Sequence, residues 1–103
     1  RLRVINLETG EEKMISDKKL VMHFEWSPDS AVLYYTVDRG VDEDDPFHTT
    51  LCTYNIGSGS SQELLDMVTS EFSASNKPGQ LMLIDMYTTK GDYVPITYKL
   101  DLE

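Results

Sequence analysis

Cysteine, tryptophan and positive charge are all scarce in this 103-residue chain. A single cysteine, Cys52, rules out an internal disulfide framework, and its place in a strand-like run reads as that of a small packing residue. Nine Lys and Arg stand against 18 Asp and Glu, a formal net charge of −9. Apart from Lys18-Lys19 the basic residues are scattered, so the clustered positive charge that holds nucleic acid or an anionic membrane is missing. The acidic excess is read as serving solubility. No apolar run approaches the ~20 residues of a membrane span, and no membrane insertion is expected. Catalytic signatures are missing too: no Gly-x-Ser-x-Gly elbow, no Gly-rich phosphate loop, no Cys-x-x-Cys pair and no His-Glu-x-x-His. The expectation is a chain that is not itself an enzyme and has no catalytic, cofactor-binding or metal residues. Helix signals are nearly absent. The one arguable stretch, Ser61-Gln62-Glu63-Leu64-Leu65-Asp66-Met67, is too short to stand alone and is read as a strand.

Strand and turn signals are dense. Leu2 to Leu7 is a short apolar-rich run closed by Glu8-Thr9-Gly10, and Glu11 to Ser16 returns as a more polar strand, so the pair predicts a hairpin. Val21 to Trp26 alternates, with Val21, His23 and Glu25 on one face and Met22, Phe24 and Trp26 on the other. Ser27-Pro28-Asp29-Ser30 is a turn, because Pro sets φ while Asp and Ser bond the local backbone. Ala31 to Val37, rich in β-branched and aromatic residues, suits a central strand covered on both faces. Asp38 to His48 is the longest predicted loop. Thr49–Ile56, Ser61–Leu65, Glu71–Ser75, Gln80–Thr88 and Ile96–Leu102 follow as strands. The connections are Gly57-Ser58-Gly59-Ser60, Asn76-Lys77-Pro78-Gly79 and Lys90-Gly91-Asp92-Tyr93-Val94-Pro95.

These segments recur. Leu2-Arg3-Val4-Ile5-Asn6-Leu7-Glu8-Thr9-Gly10 returns as Leu51-Cys52-Thr53-Tyr54-Asn55-Ile56-Gly57-Ser58-Gly59, and in clipped form as Thr97-Tyr98-Lys99-Leu100-Asp101-Leu102-Glu103. Phe24-Glu25-Trp26-Ser27-Pro28-Asp29 before Val32-Leu33-Tyr34-Tyr35 has its partner in Phe72-Ser73-Ala74-Ser75 before Leu81-Met82-Leu83-Ile84. The offsets fall at about 40–50 residues, the period of propeller-type repeats. The predicted fold class is all-β: antiparallel four-stranded propeller-type blades, two plus a partial one. The expected division is 1–19 as the end of a first blade, 20–66 as a full blade and 67–103 as a second, degenerate blade.

The box Phe24-x-Trp26-Ser27-Pro28-Asp29-Ser30 before Val32-Leu33-Tyr34-Tyr35, with Val4-Ile5-Asn6-Leu7-Glu8-Thr9-Gly10-Glu11, resembles the TolB-type, WD40-like propeller repeat. That family places a Trp-Ser-Pro-Asp-Gly turn before an apolar strand, then an Asp-Leu-x-Thr-Gly turn. Here Ser30 stands where the family usually has Gly, and Asn6, Asn55 and Asp101 occupy its Asp position. The last unit keeps Phe72 and a turn but not the Trp-Ser-Pro-Asp box. The resemblance implies a propeller and leans towards a periplasmic or secreted setting. A closed ring needs at least four blades, on the order of 160 residues, more than this chain holds. The expectation is therefore a fragment of a larger propeller, an association of copies, or an open sheet with protected edges, and hence a protein partner or self-association at the open blade edges.

No residue is singled out as a catalyst. His23 and His48 are read as surface or half-buried residues, Ser27 as a turn former and Trp26 as a packing anchor. The acidic run Asp42, Glu43, Asp44 and Asp45 offers oxygen atoms that suit calcium, but its consecutive spacing lacks the alternation, Gly and closing Glu of a calcium loop, so it is read as solvated. Most of the aromatic residues lie on strands as packing groups. Tyr87 and Tyr93, with Asp42, Glu43, Asp44 and Asp45, are the expected protein-binding residues. The expected function is a non-catalytic protein-interaction module within a WD40-like propeller. The alternative is part of the gating propeller of a prolyl-oligopeptidase-like serine peptidase, with catalysis outside this chain.

Overall fold

The computed structural model describes residues 2–16, 20–40, 47–68, 71–77, 79–89 and 92–102, the side chains of residues 16 and 84–98 excepted. These residues form nine strands and no helix: β1 (Leu2–Ile5), β2 (Glu12–Ser16), β3 (Val21–Trp26), β4 (Val32–Asp38), β5 (Thr49–Asn55), β6 (Ser61–Met67), β7 (Glu71–Ala74), β8 (Gln80–Thr89) and β9 (Asp92–Asp101). Every pairing is antiparallel between strands adjacent in the sequence, giving sheets β1-β2, β3-β4-β5-β6 and β7-β8-β9, none of them closed.

The central sheet carries the core on both its faces, because β4 and β5 have neighbours on both sides and apolar or aromatic residues on successive positions. Leu33 to Val37 are all buried, as a strand covered on both faces requires. The pairs Leu33↔Tyr54 and Tyr35↔Cys52 point one way, and Thr36↔Leu51 and Tyr34↔Thr53 the other. On the first face, Leu33, Tyr35, Val37, Cys52 and Tyr54 pack with Leu2, Val4 and Ile15 of the β1-β2 sheet. On the second, Tyr34, Leu51 and Met67 pack with Phe72, Leu81 and Leu83 of the β7-β9 sheet. Three sheets are thus stacked face to face, each fully buried side chain contributing roughly 1.5–3 kcal/mol.

Two turns are built alike. The Asn6 side-chain oxygen accepts from the Glu8 and Thr9 backbone N–H groups at 2.9 and 3.2 Å, and Gly10 N–H reaches the Asn6 carbonyl at 2.7 Å. About 49 residues later the Asn55 side chain accepts from Ser58 N–H at 3.0 Å, and Gly59 N–H reaches the Asn55 carbonyl at 2.9 Å. Gly10 (φ 77°) and Gly59 (φ 71°) close the two turns in the left-handed region that glycine enters without a Cβ clash.

One connection differs from the sequence reading. The loop expected at Lys90 to Pro95 is strand from Asp92 onward, and β9 pairs with β8 along its whole length, from Gln80↔Asp101 to Thr89↔Asp92. Pro95, which suggested a break, sits opposite Met86 on an edge strand whose one partner is β8, a place where a missing N–H is tolerated.

Candidate interaction surface

The most distinctive surface belongs to β3, an edge strand of the central sheet. On it His23 and Glu25 lie half-buried on one side while Met22, Phe24 and Trp26 are exposed; a register shift between Val21 and His23 breaks the alternation, so that half-buried Val21 packs with the first core cluster. The His23–Glu25 side faces β7. His23 Nε2 lies 2.8 Å from Glu25 Oε2 and 3.1 Å from the Phe72 carbonyl. A carboxylate and a carbonyl can only accept, so the imidazole carries a proton on Nε2 and donates to both. Glu25 Oε1 accepts from the Ala74 backbone N–H at 3.3 Å, and the His23 and Phe72 rings meet edge to face with centroids 4.7 Å apart. A polar pair on β3 thereby bonds the backbone of β7 without extending either sheet.

The other side of β3 is apolar and uncovered. Phe24 is 54% exposed and Trp26 42%. The expectation of Trp26 as a packing anchor is overturned. Trp26 pairs with Leu33 and shares the face that packs on the β1-β2 sheet, yet among the described residues it stays 42% exposed. Beside Phe24 lies an open hollow of about 250 Å³ bounded by Leu2, Val21, Met22, His23 and Phe24.

A second depression, of about 330 Å³, opens between the central sheet and the end of the β7-β9 sheet, lined by Ser27, Asp29, Tyr34, Asn55, Gln62 and Gly79 among others. It is positioned by the Ser27–Val32 turn. Ser27, buried, donates its hydroxyl to Asp29 Oδ1 at 2.6 Å and accepts from Val32 N–H at 3.1 Å, while Ala31 N–H bonds Asp29 Oδ1 at 3.1 Å. The Ser27 hydroxyl first, then the Ala31 N–H, hold the Asp29 carboxyl below the ordinary carboxylate range. Burial raises the Tyr34 phenol, whose oxygen is hydrogen-bonded to the Gly79 backbone. Among the described residues neither Cys, His, Lys nor Arg lines this depression, and Asp29 is the carboxylate there. Ser27 is a turn former, bonded within its own loop.

The residues expected to bind protein lie largely outside the described structure. Asp42, Glu43, Asp44 and Asp45 lie outside the described residues. Tyr87 and Tyr93 lie on β8 and β9, where Tyr87 pairs with Val94 and Thr88 with Tyr93; their side chains are also outside the description. Tyr93 belongs to a strand and not to the loop assigned to it. Cys52 is buried in the first core cluster. Among the described residues no group of three or more His, Cys, Asp or Glu could hold a metal ion, and no helix is long and apolar enough to cross a membrane. The Met22–Phe24–Trp26 face escaped the sequence reading because an apolar alternation is ordinarily the inward one. The repeat aligns Phe24 with Phe72 but does not tell which of the two is covered.

No protein-family model matches this sequence, and no curated protein or solved structure is similar enough to match it.

Proposed function

We propose that this chain is a non-catalytic protein-interaction module built from WD40-like β-propeller units, engaging a protein partner or further copies of itself through its open sheet ends. The observation that carries the reading is the exposed Met22–Phe24–Trp26 face of β3, an edge strand whose opposite side is already engaged by the next sheet. Contiguous exposed apolar side chains of this size mark contact surfaces more often than solvent-facing ones. The propeller reading draws on the sequence resemblance, on the strictly sequential antiparallel sheets, and on two sheet-to-sheet contacts built at matching positions. Leu2, Ile15, Leu33 and Tyr35 of the first contact correspond to Leu51, Leu64, Leu81 and Leu83 of the second, about 48–49 residues on. The test is light scattering coupled to size exclusion over a wide concentration range. Concentration-dependent association that Phe24→Lys and Trp26→Lys abolish, with the fold intact by circular dichroism, is the expected result. A chain that stays monomeric at high concentration counts against self-association at this face.

A further inference from the structure

The depression between the central sheet and the end of the β7-β9 sheet has a counterpart. It is bordered by Thr53, Asn55, Ser60, Gln62 and Leu102 among others. About 49 residues earlier, Val4, Asn6, Glu11 and Lys13, with Ile56 in the place of Leu102, border an open groove of about 240 Å³ at the first sheet-to-sheet contact. The wall of that first groove belongs to a four-stranded sheet and the groove is open all the same, so the hollow belongs to the way one sheet seats on the next. The two grooves differ in charge. Lys13 brings an ammonium group to the first, whereas Gln62 stands in its place in the second, where Asp29 is the carboxylate and no cation lines the groove among the described residues. The second groove also has a direction. Tyr34, Thr53 and Gln62 lie side by side across β4, β5 and β6 as its floor, and strands ~4.8 Å apart make that floor about 10 Å across. Leu64 lies at the β6 end, and Leu102, held at Gly79 by a 2.8 Å backbone hydrogen bond, lies opposite the floor. Asp29, in the turn before β4, stands at the other end. The Ser27 hydroxyl and the Ala31 N–H both bond its Oδ1, so Oδ2 can take a further donor.

We infer that this groove binds the side chain of an arginine presented by a protein partner, its guanidinium meeting Asp29 and its methylene stem lying along Leu64 and Leu102. A long apolar stem ending in a charged head has the same order of polarity as the groove. A guanidinium offers five donors and no acceptor, which suits one carboxylate set among the oxygen atoms of Tyr34, Thr53 and Gln62. Hydrogen bonds to an ionised partner are the stronger kind, and no side chain of the groove competes as a cation among the described residues. A phosphate or carboxylate ligand would be repelled by Asp29. A sugar asks for an exposed aromatic face, and Tyr34, the aromatic residue in the lining, is 1% exposed. The inference adds a second point of contact to the reading of this chain as an interaction module and does not depend on the Met22–Phe24–Trp26 face.

The test is a titration of the full chain with N-acetylarginine methylamide, read from backbone amide chemical shifts. Saturating shifts at Thr53, Gln62 and Gly79 are expected, with the citrulline counterpart, equal in length but uncharged, binding about tenfold more weakly. Asp29→Asn is expected to remove the preference for arginine over citrulline. Gln62→Lys, at an exposed position outside the turn, gives this groove the cation that Lys13 gives the first, and is expected to weaken arginine binding about tenfold with the shifts of the core residues unchanged. If arginine and citrulline bind alike, the charge assignment is overturned. If maltose shifts the same amides and arginine does not, the groove takes a sugar and the inference falls. If neither arginine nor maltose moves these amides at high millimolar concentration, the inference also falls. None of these results bears on association through Phe24 and Trp26, which light scattering reads separately.

Discussion

The Glu25 carboxylate on β3 accepts a hydrogen bond from the Ala74 backbone N–H on β7 at 3.3 Å, a side-chain to main-chain link between two different sheets. Its second oxygen is held by His23 at 2.8 Å, so one acid is oriented by its neighbour and anchors the next unit of the stack. Glu25→Ala is expected to destabilise the chain by about 1 kcal/mol, a modest value because the pair is partly exposed. A double-mutant cycle with His23→Ala measures the coupling, expected at roughly 0.5–1 kcal/mol. Strict additivity in urea denaturation would show that the two side chains act separately.

The turn ahead of β4 makes stability respond to acid. The Asp29 carboxyl is held below its ordinary range by the Ser27 hydroxyl and the Ala31 N–H. A folded pKa lower than the unfolded one gives stabilisation that is complete above about pH 4 and lost as pH falls through the lowered value. Asp29→Asn removes this part of the acid sensitivity. Melting temperatures of the two proteins should therefore differ near neutral pH and converge in strong acid; a constant difference at every pH refutes the assignment.

Backbone conformation separates two glycines of one turn. Gly59 has φ 71° with only the Tyr54 hydroxyl, 3.8 Å away, near an added Cβ, so Gly59→Ala costs about 1 kcal/mol through the backbone alone. Gly57 is not in the left-handed region, and an added Cβ would lie 3.4 Å from Asn55 Oδ1, the acceptor of the Ser58 N–H bond, so Gly57→Ala is expected to cost less than Gly59→Ala. Thermal denaturation of the two variants checks the order.

Ser30 is the one described non-glycine residue with positive φ, at 60°. Ser30→Gly relieves a Cβ conflict and is expected to stabilise the chain by about 0.5–1 kcal/mol, with Ser30→Ala giving no such gain. Chemical denaturation curves of the three proteins decide it.

Corresponding core leucines should differ in cost. Leu51 is fully buried between sheets that cover it from both sides, whereas Leu2 borders the open hollow beside Phe24. Leu51→Ala is expected to cost about 3–5 kcal/mol, enough to unfold a domain of ordinary stability. Leu2→Ala should fall nearer 2 kcal/mol, because water already reaches one side of the site. Equal losses would show that the hollow is closed in solution.

Strand positions were legible because a pleated chain turns its side chains over every second residue, written into Phe24–Trp26, and because β-branched and aromatic residues crowd Ala31–Val37. Turns were legible where one residue type carries a mechanism, as with Asn6 and Gly10 or Ser27 and Asp29. Pro95 misled for the converse reason: local chemistry marks a missing N–H, and only the strand order places it on an edge strand, where that loss is tolerated. The alternation in β3 placed His23 and Glu25 opposite Phe24 and Trp26, but the register shift after Val21 moves Val21 to the other face, and alternation could not say which face was inward.

The order of residues was enough to specify extended segments, tight connections and a spacing of about 49 residues between like parts, since each depends on a few neighbours along the chain. Only the tertiary structure decided that Phe72 is buried and Phe24 is not, and that His23 and Glu25 face a neighbouring sheet while Trp26 faces outward. Burial depends on what lies across the gap between sheets, so two corresponding positions in a repeat become different surfaces when they are covered differently.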